Sequence, residues 1–355
     1  MAFKNSKISP IPTTKRSIIH LYEPMLAILL IFGYNFDFYN GNRVVRIVAK
    51  LYCITLVTVV SVATMTCCDT QEISQIWSLI EYSSSVLIIL FFKSKIRLFL
   101  DKLSEVDTYL RIKRKHYFWD KYKMFVFTFL IWVVRTSYTY LYCNYYTCYN
   151  CLALYLISLF SPLALDLSRV WRCILFDTIR YRLTMLRVRL EENPNENFYL
   201  YVKNNKAMKE DKLKFCVYLY RTIADLVELV SPELYASVRN QYFQETLKFE
   251  NMVHSRFLLI HVVQICGLLF SPFVIVEFYA VEVERIKLFL MHKIIDENNP
   301  DIKQQVQLFL HYIEMRPFKY RIWRIIPINV SVPLMLINLC TTYVIVIINF
   351  THLYG

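Results

Sequence analysis

Residues Ile325 to Phe350 read IIPINVSVPLMLINLCTTYVIVIINF, a stretch without a single charge. At about 1.5 Å per residue, a helix of this length crosses the roughly 30 Å hydrocarbon layer of a membrane with some tilt. Asn338, Thr342, Ile345 and Asn349 recur at steps of four, three and four residues. They therefore lie along one stripe of the predicted helix.

The polar members of this stripe are costly in hydrocarbon, so the stripe should face protein or water. One interpretation is that Asn and Thr bind neighbouring helices by hydrogen bonds. The other is that the stripe lines an aqueous pathway. Periodicity alone favours the first interpretation and leaves the second open.

The composition indicates a polytopic membrane protein. The chain has 355 residues, of which 56% are hydrophobic and 16% aromatic. It contains four glycines and neither Gly-rich phosphate motif, and no His, Cys, Ser or carboxylate constellation has a usable catalytic spacing. We therefore predict no enzyme activity, no cofactor and no metal site.

The net charge of +13 lies mainly in the connections between apolar segments, where the positive-inside rule places basic residues. Membrane topology explains this charge better than a nucleic-acid partner does. The connection from Lys93 to Lys123 carries ten basic residues against four acids, whereas Asp69–Glu72 and Cys143–Cys151 contain no Lys or Arg. The N-terminus is therefore predicted to be cytoplasmic.

Hydropathy predicts a series of apolar crossings before the terminal helix. They are Leu51–Cys68, Ile73–Phe92, Met124–Tyr142, Leu152–Val170 and Phe257–Val276. The apolar segment Pro24–Phe36 is too short to span and is predicted to form an interfacial or re-entrant helix. The fourth crossing is predicted to continue as a helix into the cytoplasm.

Charge parity requires one more crossing. Residues Arg285–Arg324 carry eight basic residues against four acids, which is typical of the cytoplasmic side. Five crossings that start from a cytoplasmic N-terminus would place this segment outside. The candidate is a charged segment within Leu213–Val238; the alternative is a long cytoplasmic helix. With this weak fifth crossing there are seven spans and an extracellular C-terminus. Pro300 divides Glu282–Arg324 into two predicted amphipathic cytoplasmic helices.

These patterns predict an all-α polytopic membrane protein with five regions. They are a cytoplasmic N-terminus with an interfacial helix (1–42), transmembrane helices 1–4 with basic cytoplasmic loops (43–190), a cytoplasmic segment with the weak fifth crossing (191–255), the sixth transmembrane helix with cytoplasmic anchor helices (256–324), and the terminal helix (325–355).

The terminal stretch also resembles a family signature. Thr342-Tyr343, five apolar residues and Asn349-Phe350 resemble the insect gustatory receptor motif, which is Thr-Tyr, five hydrophobic residues and Gln-Phe. The segments 180–190 and 219–230 are similar to the family as well. Asn349 stands where the family has Gln, which keeps an amide and shortens it by one methylene. Residues 231–254 are charged where the family continues into an apolar crossing.

The resemblance implies a tastant-gated, non-selective cation channel in the plasma membrane of a sensory neuron. It implies a homo- or hetero-tetramer with other gustatory receptors, surrounded by lipid and joined through its cytoplasmic helices. The terminal helix would line the pore, through Asn338, Thr342, Ile345, Val346 and Asn349. Ile345 and Val346 would form a constriction, and Asn349 amides would offer exchangeable oxygens to a partly hydrated cation.

The resemblance also implies that each subunit binds its small-molecule tastant in the outer half of its own bundle. The predicted ligand-binding residues are Trp77, Glu81, Tyr82, Trp132, Arg135, Tyr138, Tyr155, Ser158, His261 and Gln264. They combine aromatic walls with a few polar groups, as small-molecule pockets do. Glu81 and Arg135 are predicted either to pair with each other or to contact the ligand.

Other interpretations remain open at this level. An insect odorant receptor subunit shares the implied fold and a related terminal motif, and a chain without the fifth crossing would be a truncated, non-functional member. A G-protein-coupled receptor has the opposite orientation, and Asp166-Leu-Ser-Arg169 matches its Asp-Arg-Tyr motif poorly. The departure at Asn349 favours a bitter-type or orphan receptor. Free cysteines are favoured over a bridge between Cys148 or Cys151 and another cysteine of the same membrane face.

Overall fold

The computed structural model describes residues 15–36, 43–67, 73–91, 96–110, 112, 114–145, 152–192, 213–229, 258–316, 321–322, 326–327, 335, 338, 341–342, 345–346 and 349. These ranges are helical apart from short turns and one small hairpin. The helices are α1 (Lys15–Ile31), α2 (Arg43–Cys67), α3 (Ile73–Phe91), α4 (Ile96–Leu110), α5 (Arg114–Tyr145), α6 (Leu152–Glu191), α7 (213–229), α8 (Leu258–Asp296) and α9 (Pro300–Met315). The prediction of an all-α fold is confirmed.

The terminal segment starts differently from the prediction. Strand β1 (Arg321–Ile322) pairs antiparallel with β2 (Ile326–Pro327), so the terminal helix begins after Pro327 and not at Ile325. The sequence from 325 to 332 is rich in β-branched residues, which favour extended backbone. From Met335 to Asn349, every described residue of the terminal helix is helical.

The helices that match predicted crossings differ in apolar character. Among the described residues, Arg43–Thr66 is the one helical stretch that by length and composition could cross a membrane. Two shorter apolar stretches are Tyr22–Ile31 and Ser78–Phe91. The orientation of the chain across a membrane, and with it the position of both termini, stays a prediction.

Helix α6 is the centre of the bundle. It has 40 residues, a length of about 60 Å, and it contacts α1, α2, α3, α4, α5 and α8. Its buried face repeats at helical spacing through Leu175, Ile179, Leu183 and Leu186. The helix continues 21 residues past Val170, where the predicted crossing ends, as the basic sequence there suggests.

Helix α4 lies within the segment Lys93–Lys123, which hydropathy alone predicts only as a connection. Its buried residues include Ile96, Phe99, Leu103, Val106 and Leu110, which recur at steps of three and four. This spacing is the signal of an amphipathic helix, and it was present in the sequence.

Helix α7 contains the described part of the candidate fifth crossing. It packs against α4 through Phe215 and Tyr109, whose ring centroids are 5.4 Å apart, and against α9 through Tyr220 and Phe309, at 5.8 Å. Both partner helices come from connections predicted to be cytoplasmic. The crossing itself stays a prediction, because residues 230–257 lie outside the described ranges.

The junction between α8 and α9 follows from local sequence. Helix α8 runs without a break to Asp296, so the first predicted amphipathic helix continues the helix of the predicted sixth crossing. Asn299 caps α9 by accepting a hydrogen bond from the Asp301 backbone N–H at 3.0 Å, and Pro300 occupies the first helical turn. Pro is favoured there because the backbone N–H groups of the first turn have no partner within the helix, so the N–H that Pro lacks is not needed.

Helix α1 ends at Ile31, and the chain then turns into the core at Tyr34, so the last carbonyl groups of the helix need partners. Gly33 adopts a φ of 86° and closes a Schellman turn, with hydrogen bonds from Gly33 N–H to Leu30 and from Tyr34 N–H to Leu29, each 2.9 Å. Two tyrosines complete the cap: Tyr52 donates to the Ile31 carbonyl and the Tyr82 hydroxyl to the Phe32 carbonyl, each at 2.9 Å. The end of α1 is thereby fixed to α2 and α3.

Replacing Gly33 by Ala should destabilise the protein. A Cβ atom there would lie 2.9 Å from the Tyr82 hydroxyl oxygen, and the positive φ disfavours a side chain by about 1–2 kcal/mol. We expect a lower thermal unfolding midpoint in detergent, measured by fluorescence-detected size exclusion. Gly267→Ala is the control, because no atom lies within 4 Å of its Cβ position and Ala gains about 0.5–1 kcal/mol in a helix. Equal midpoints for the two variants would contradict the assigned role of Gly33.

Candidate functional site

A network of four buried ionised side chains joins α3, α5 and α6. Arg135 donates to Asp166 Oδ2 from Nε at 2.8 Å and from Nη2 at 2.5 Å. Arg169 donates from Nη2 to Glu81 Oε1 at 2.9 Å and from Nη1 to Asp166 Oδ1 at 3.4 Å. The order of contacts is therefore Arg135, Asp166, Arg169, Glu81.

The network is electrically balanced, with two guanidinium groups and two carboxylates. All four side chains are buried, and Asp166 is fully inaccessible. Isolated charges in such a place would cost many kcal/mol, so the balance is a condition for burying them at all. Each contact also joins two different helices or two turns of α6, which fixes their relative positions.

The network shows which charged partners Glu81 and Arg135 have, while their role toward a ligand stays a prediction. They do not meet directly; Asp166 and Arg169 connect them. Sequence reasoning missed both connecting residues, which it considered only as a poor receptor motif. The signal was the acid and base three residues apart within an apolar run, since intramembrane charges usually pair.

Tyr82, a predicted ligand-binding residue next to Glu81, lies in a cluster of aromatic rings. Its ring centroid is 6.1 Å from that of Tyr34 and 5.9 Å from that of Phe160, both in edge-on geometry. Phe32 packs on Phe160 at 5.0 Å. An aromatic wall thus stands beside the buried charges, the combination typical of small-molecule sites.

The remaining predicted ligand residues are distributed more widely. Trp132 is 48% exposed on the outer surface of α5, and Tyr138 on the same helix is half-buried. The structure thus brings together Glu81, Tyr82 and Arg135 and leaves Trp132 outside this group. The side chains of Trp77, Tyr155, Ser158, His261 and Gln264 lie outside the described residues, so their roles stay predictions.

The terminal helix presents its described residues on the surface. Asn338, Thr342, Ile345, Val346 and Asn349 are all exposed in the single chain, with Ile345 at 52%. The Thr342 hydroxyl donates to the Asn338 carbonyl at 2.9 Å, so it is satisfied within its own helix. Their side chains are therefore accessible to another subunit, to lipid or to water.

A second set of ion pairs holds the end of the bundle that is predicted to be cytoplasmic. Arg182 of α6 forms a bidentate, fully buried pair with Asp107 of α4, at 2.8 and 2.7 Å. Arg187 donates to Glu282 of α8 at 2.8 Å. These pairs attach α4 and α8 to the central helix with the planar geometry that Arg and carboxylate share.

Arg316, which follows α9, connects that helix to α7. It donates to Asp225 at 2.8 Å and to Glu228 at 3.0 Å. The hydrogen bond to Asp225 is the main reason that the pKa of Arg316 is held above its ordinary value. Lys102 of α4 lies 3.5 Å from the same Asp225 carboxylate, which therefore joins three elements.

Within the described ranges, no group of three or more His, Cys, Asp or Glu side chains has the arrangement of a metal site. Cys53 and Cys173 are free thiols. The side chains of Cys67, Cys68, Cys143, Cys148 and Cys151, among which a bridge was considered, lie outside the described residues.

Comparison with known structures identifies the class of fold. The chain has an all-helical fold that a solved insect olfactory receptor shares. It is similar to the insect olfactory receptor OR5 from Machilis hrabei, solved in complex with eugenol, with a TM-score of 0.64 and 14% identity over 95% of this chain and 99% of that one. No protein-family model matches the chain, and no curated protein matches it significantly.

Removing one charge from the buried network should destabilise the bundle, whichever end is changed. We expect Arg135→Gln and Glu81→Gln each to lose about 3–5 kcal/mol, because each leaves an uncompensated buried charge. Surface expression in cells should fall by a similar factor for both. Arg189→Gln is the control on α6, since Arg189 pairs at the surface with Glu192, and such pairs contribute under about 1 kcal/mol.

A different result would assign the two residues differently. Both variants could instead reach the surface at the level of Arg189→Gln and differ from the parent only in their responses to ligand. In that case Glu81 and Arg135 contact the ligand and are not needed to stabilise the bundle.

Proposed function

We propose that this protein is a ligand-gated, non-selective cation channel of the insect chemoreceptor type, located in the plasma membrane of a sensory cell, and not an enzyme. The observation that carries the proposal is the exposed stripe of the terminal helix in a chain that has this fold over 95% of its length. A helix that leaves the amide side chains of Asn338 and Asn349 unburied in its own subunit is best accommodated by water or other subunits around it.

The pore is proposed to lie between the terminal helices of four subunits. Ile345 and Val346 would form an apolar constriction that closes by dewetting, and Asn349 would follow it one turn later. Four amide oxygens bind a hydrated cation weakly, so they suit a pore that discriminates little among cations. The exposure of these residues in the single chain supports this arrangement.

The ligand site is proposed to lie between α3, α5 and α6, beside the charge network. Tyr82 supplies an aromatic wall, and Glu81 and Arg135 supply polar groups that a ligand could engage at the cost of their present partners. The similar olfactory receptor was solved with eugenol, a small aromatic molecule, and that supports a small organic ligand here. Tyr138, together with Trp77, Tyr155, Ser158, His261 and Gln264, whose side chains lie outside the described residues, completes the proposed site.

A tastant is the proposed ligand because the terminal motif, from Thr342 to Phe350, resembles the gustatory signature. An odorant is the second candidate, and the likeness to an olfactory receptor favours it. The departure at Asn349 is the reason to propose a bitter-type or orphan specificity within the gustatory class.

The subunits are proposed to join through the end of the bundle that contains α8 and α9. These helices expose apolar side chains, among them Leu288, Met291, Ile295, Leu308 and Met315. A surface of this kind is typical of a protein interface. Ion pairs from Arg187 and Arg316 hold the two helices rigidly enough to present it.

Replacing Asn349 should alter permeation without preventing assembly. The test is current recording from cells that express this chain, alone and with a second chemoreceptor subunit, against a panel of tastants and odorants. We expect Asn349→Leu to change the relative permeability of Na⁺, K⁺ and Ca²⁺, because the amide oxygens are lost. Asn349→Gln is the control and should keep the permeability of the parent. Unchanged selectivity in Asn349→Leu would remove Asn349 from the pore.

Placing a charge on the exposed apolar surface of α9 should weaken subunit assembly. Leu308 is 62% exposed, so Leu308→Glu should leave the fold of the subunit intact while costing an interface about 2 kcal/mol or more. The measurement is the mass of the purified protein by light scattering. Lys303→Glu, an exposed polar position on the same helix, is the control. A tetramer in all three proteins would exclude this surface as the anchor.

A further inference from the structure

The first two turns of α2 carry positive charge that no described residue neutralises. The side chains of Arg43, Arg46 and Lys50 are exposed, and none of them forms a hydrogen bond or an ion pair within the described part of the chain. Helix α2 itself contains no Asp or Glu. The three residues recur at steps of three and four, so they lie on one side of the helix, within about 10 Å along its axis.

This placement of charge is unfavourable without an anion nearby. Arg43 and Arg46 lie within four residues of the start of α2, where the helix dipole already leaves a partial positive charge. Like charges three and four residues apart on a helix also repel each other. Elsewhere on the surface a neighbouring acid relieves such a charge, as Glu192 does for Arg189 at 2.9 Å. Because α2 supplies no acid, a bound anion would be stabilised there by both effects.

An apolar stripe begins beside the cations and follows α2 toward its end. Arg43–Thr66 is the one helical stretch among the described residues whose length and composition would let it cross a membrane. The distance from Ile47 to Met65 is about 27 Å along the axis, close to the roughly 30 Å of a hydrocarbon layer. The cations therefore lie at the end of the stripe, where headgroups meet hydrocarbon. The stripe consists of side chains that are 50–60% exposed: Ile47, Leu51, Ile54, Val62 and Met65.

We propose that the start of α2 binds the headgroup of an anionic phospholipid. The headgroup phosphate accepts hydrogen bonds from the guanidinium groups of Arg43 and Arg46 and is attracted by the Lys50 ammonium group. The acyl chains of the same lipid pack along the apolar stripe, which a soluble anion would leave uncovered. The site is separate from the proposed ligand site. It requires that the chain lie in a membrane, but it does not depend on channel activity or on the orientation of the chain.

The test is lipid binding to the purified full chain in uncharged detergent. The chain is titrated with phosphatidylglycerol and, separately, with phosphatidylcholine of the same acyl chains, and native mass spectrometry counts the bound lipids. Both lipids carry the same apolar part, so a difference between them reports on the headgroup charge. In a further titration, sodium glycerophosphate competes with phosphatidylglycerol at constant ionic strength, because it offers a phosphate without acyl chains.

We expect phosphatidylglycerol to bind about ten times more tightly than phosphatidylcholine, because each basic residue beside an anionic lipid contributes a factor of about five. Arg46→Gln should weaken the binding of phosphatidylglycerol about fivefold, and replacing Arg43, Arg46 and Lys50 together by Gln should abolish the preference. Arg46→Lys keeps the charge and should bind within about twofold of the parent. Lys303→Gln is the control, because Lys303 is an exposed cation on α9, away from α2.

The three side chains are exposed and unpaired, so their replacement should leave the thermal unfolding midpoint of the chain unchanged. If the triple variant nevertheless folds poorly, the comparison of Arg46→Gln with Arg46→Lys decides the question. Equal binding of the two lipids to the parent would overturn the proposal, as would an unchanged preference in Arg46→Gln and the triple variant. Displacement of phosphatidylglycerol by glycerophosphate at equal concentration would replace the lipid by a soluble anion.

Discussion

Helix α6 carries a row of charged side chains through the interior of the bundle, and the need to neutralise them determines how the other helices pack. Asp166 attracts α5 through Arg135, Arg169 attracts α3 through Glu81, Arg182 attracts α4 through Asp107, and Arg187 attracts α8 through Glu282. Interdigitated apolar side chains resist sliding, and a buried charge displaced from its partner adds a cost of several kcal/mol. The pairs therefore set the register of the bundle.

The same reasoning applies to backbone polar groups at the end of α1. Where the chain turns into the core directly after a helix, the last carbonyl groups of that helix need partners. The Schellman turn and the hydroxyl groups of Tyr52 and Tyr82 satisfy them, and the Tyr82 side chain is thereby held beside Glu81. The hydrogen bond that helps to end α1 therefore also positions the Tyr82 ring in the candidate ligand site. A substitution at Gly33 would disturb both.

The interior and the surface of the subunit have different roles in the proposed channel. The charge network and the aromatic cluster form a rigid interior in which a ligand must compete with existing contacts. The exposed sides of the terminal helix, α8 and α9 carry the residues through which subunits would meet. A ligand that shifts α3 against α6 would act on a bundle whose other helices are tied to α6, which is a physical route from an interior site to an interface.

The sequence by itself determined the all-α class, most of the helical segments and the polar stripe from Asn338 to Asn349, because these depend on local hydropathy and on the period of a helix. It also contained the amphipathic pattern of α4. Only the tertiary structure decided which charges meet: Arg182 lies 75 residues from Asp107, and Arg169 lies 88 residues from Glu81. Charge signs state which residues can pair, but the choice of partner depends on how whole helices pack, and the chain contains many equivalent combinations.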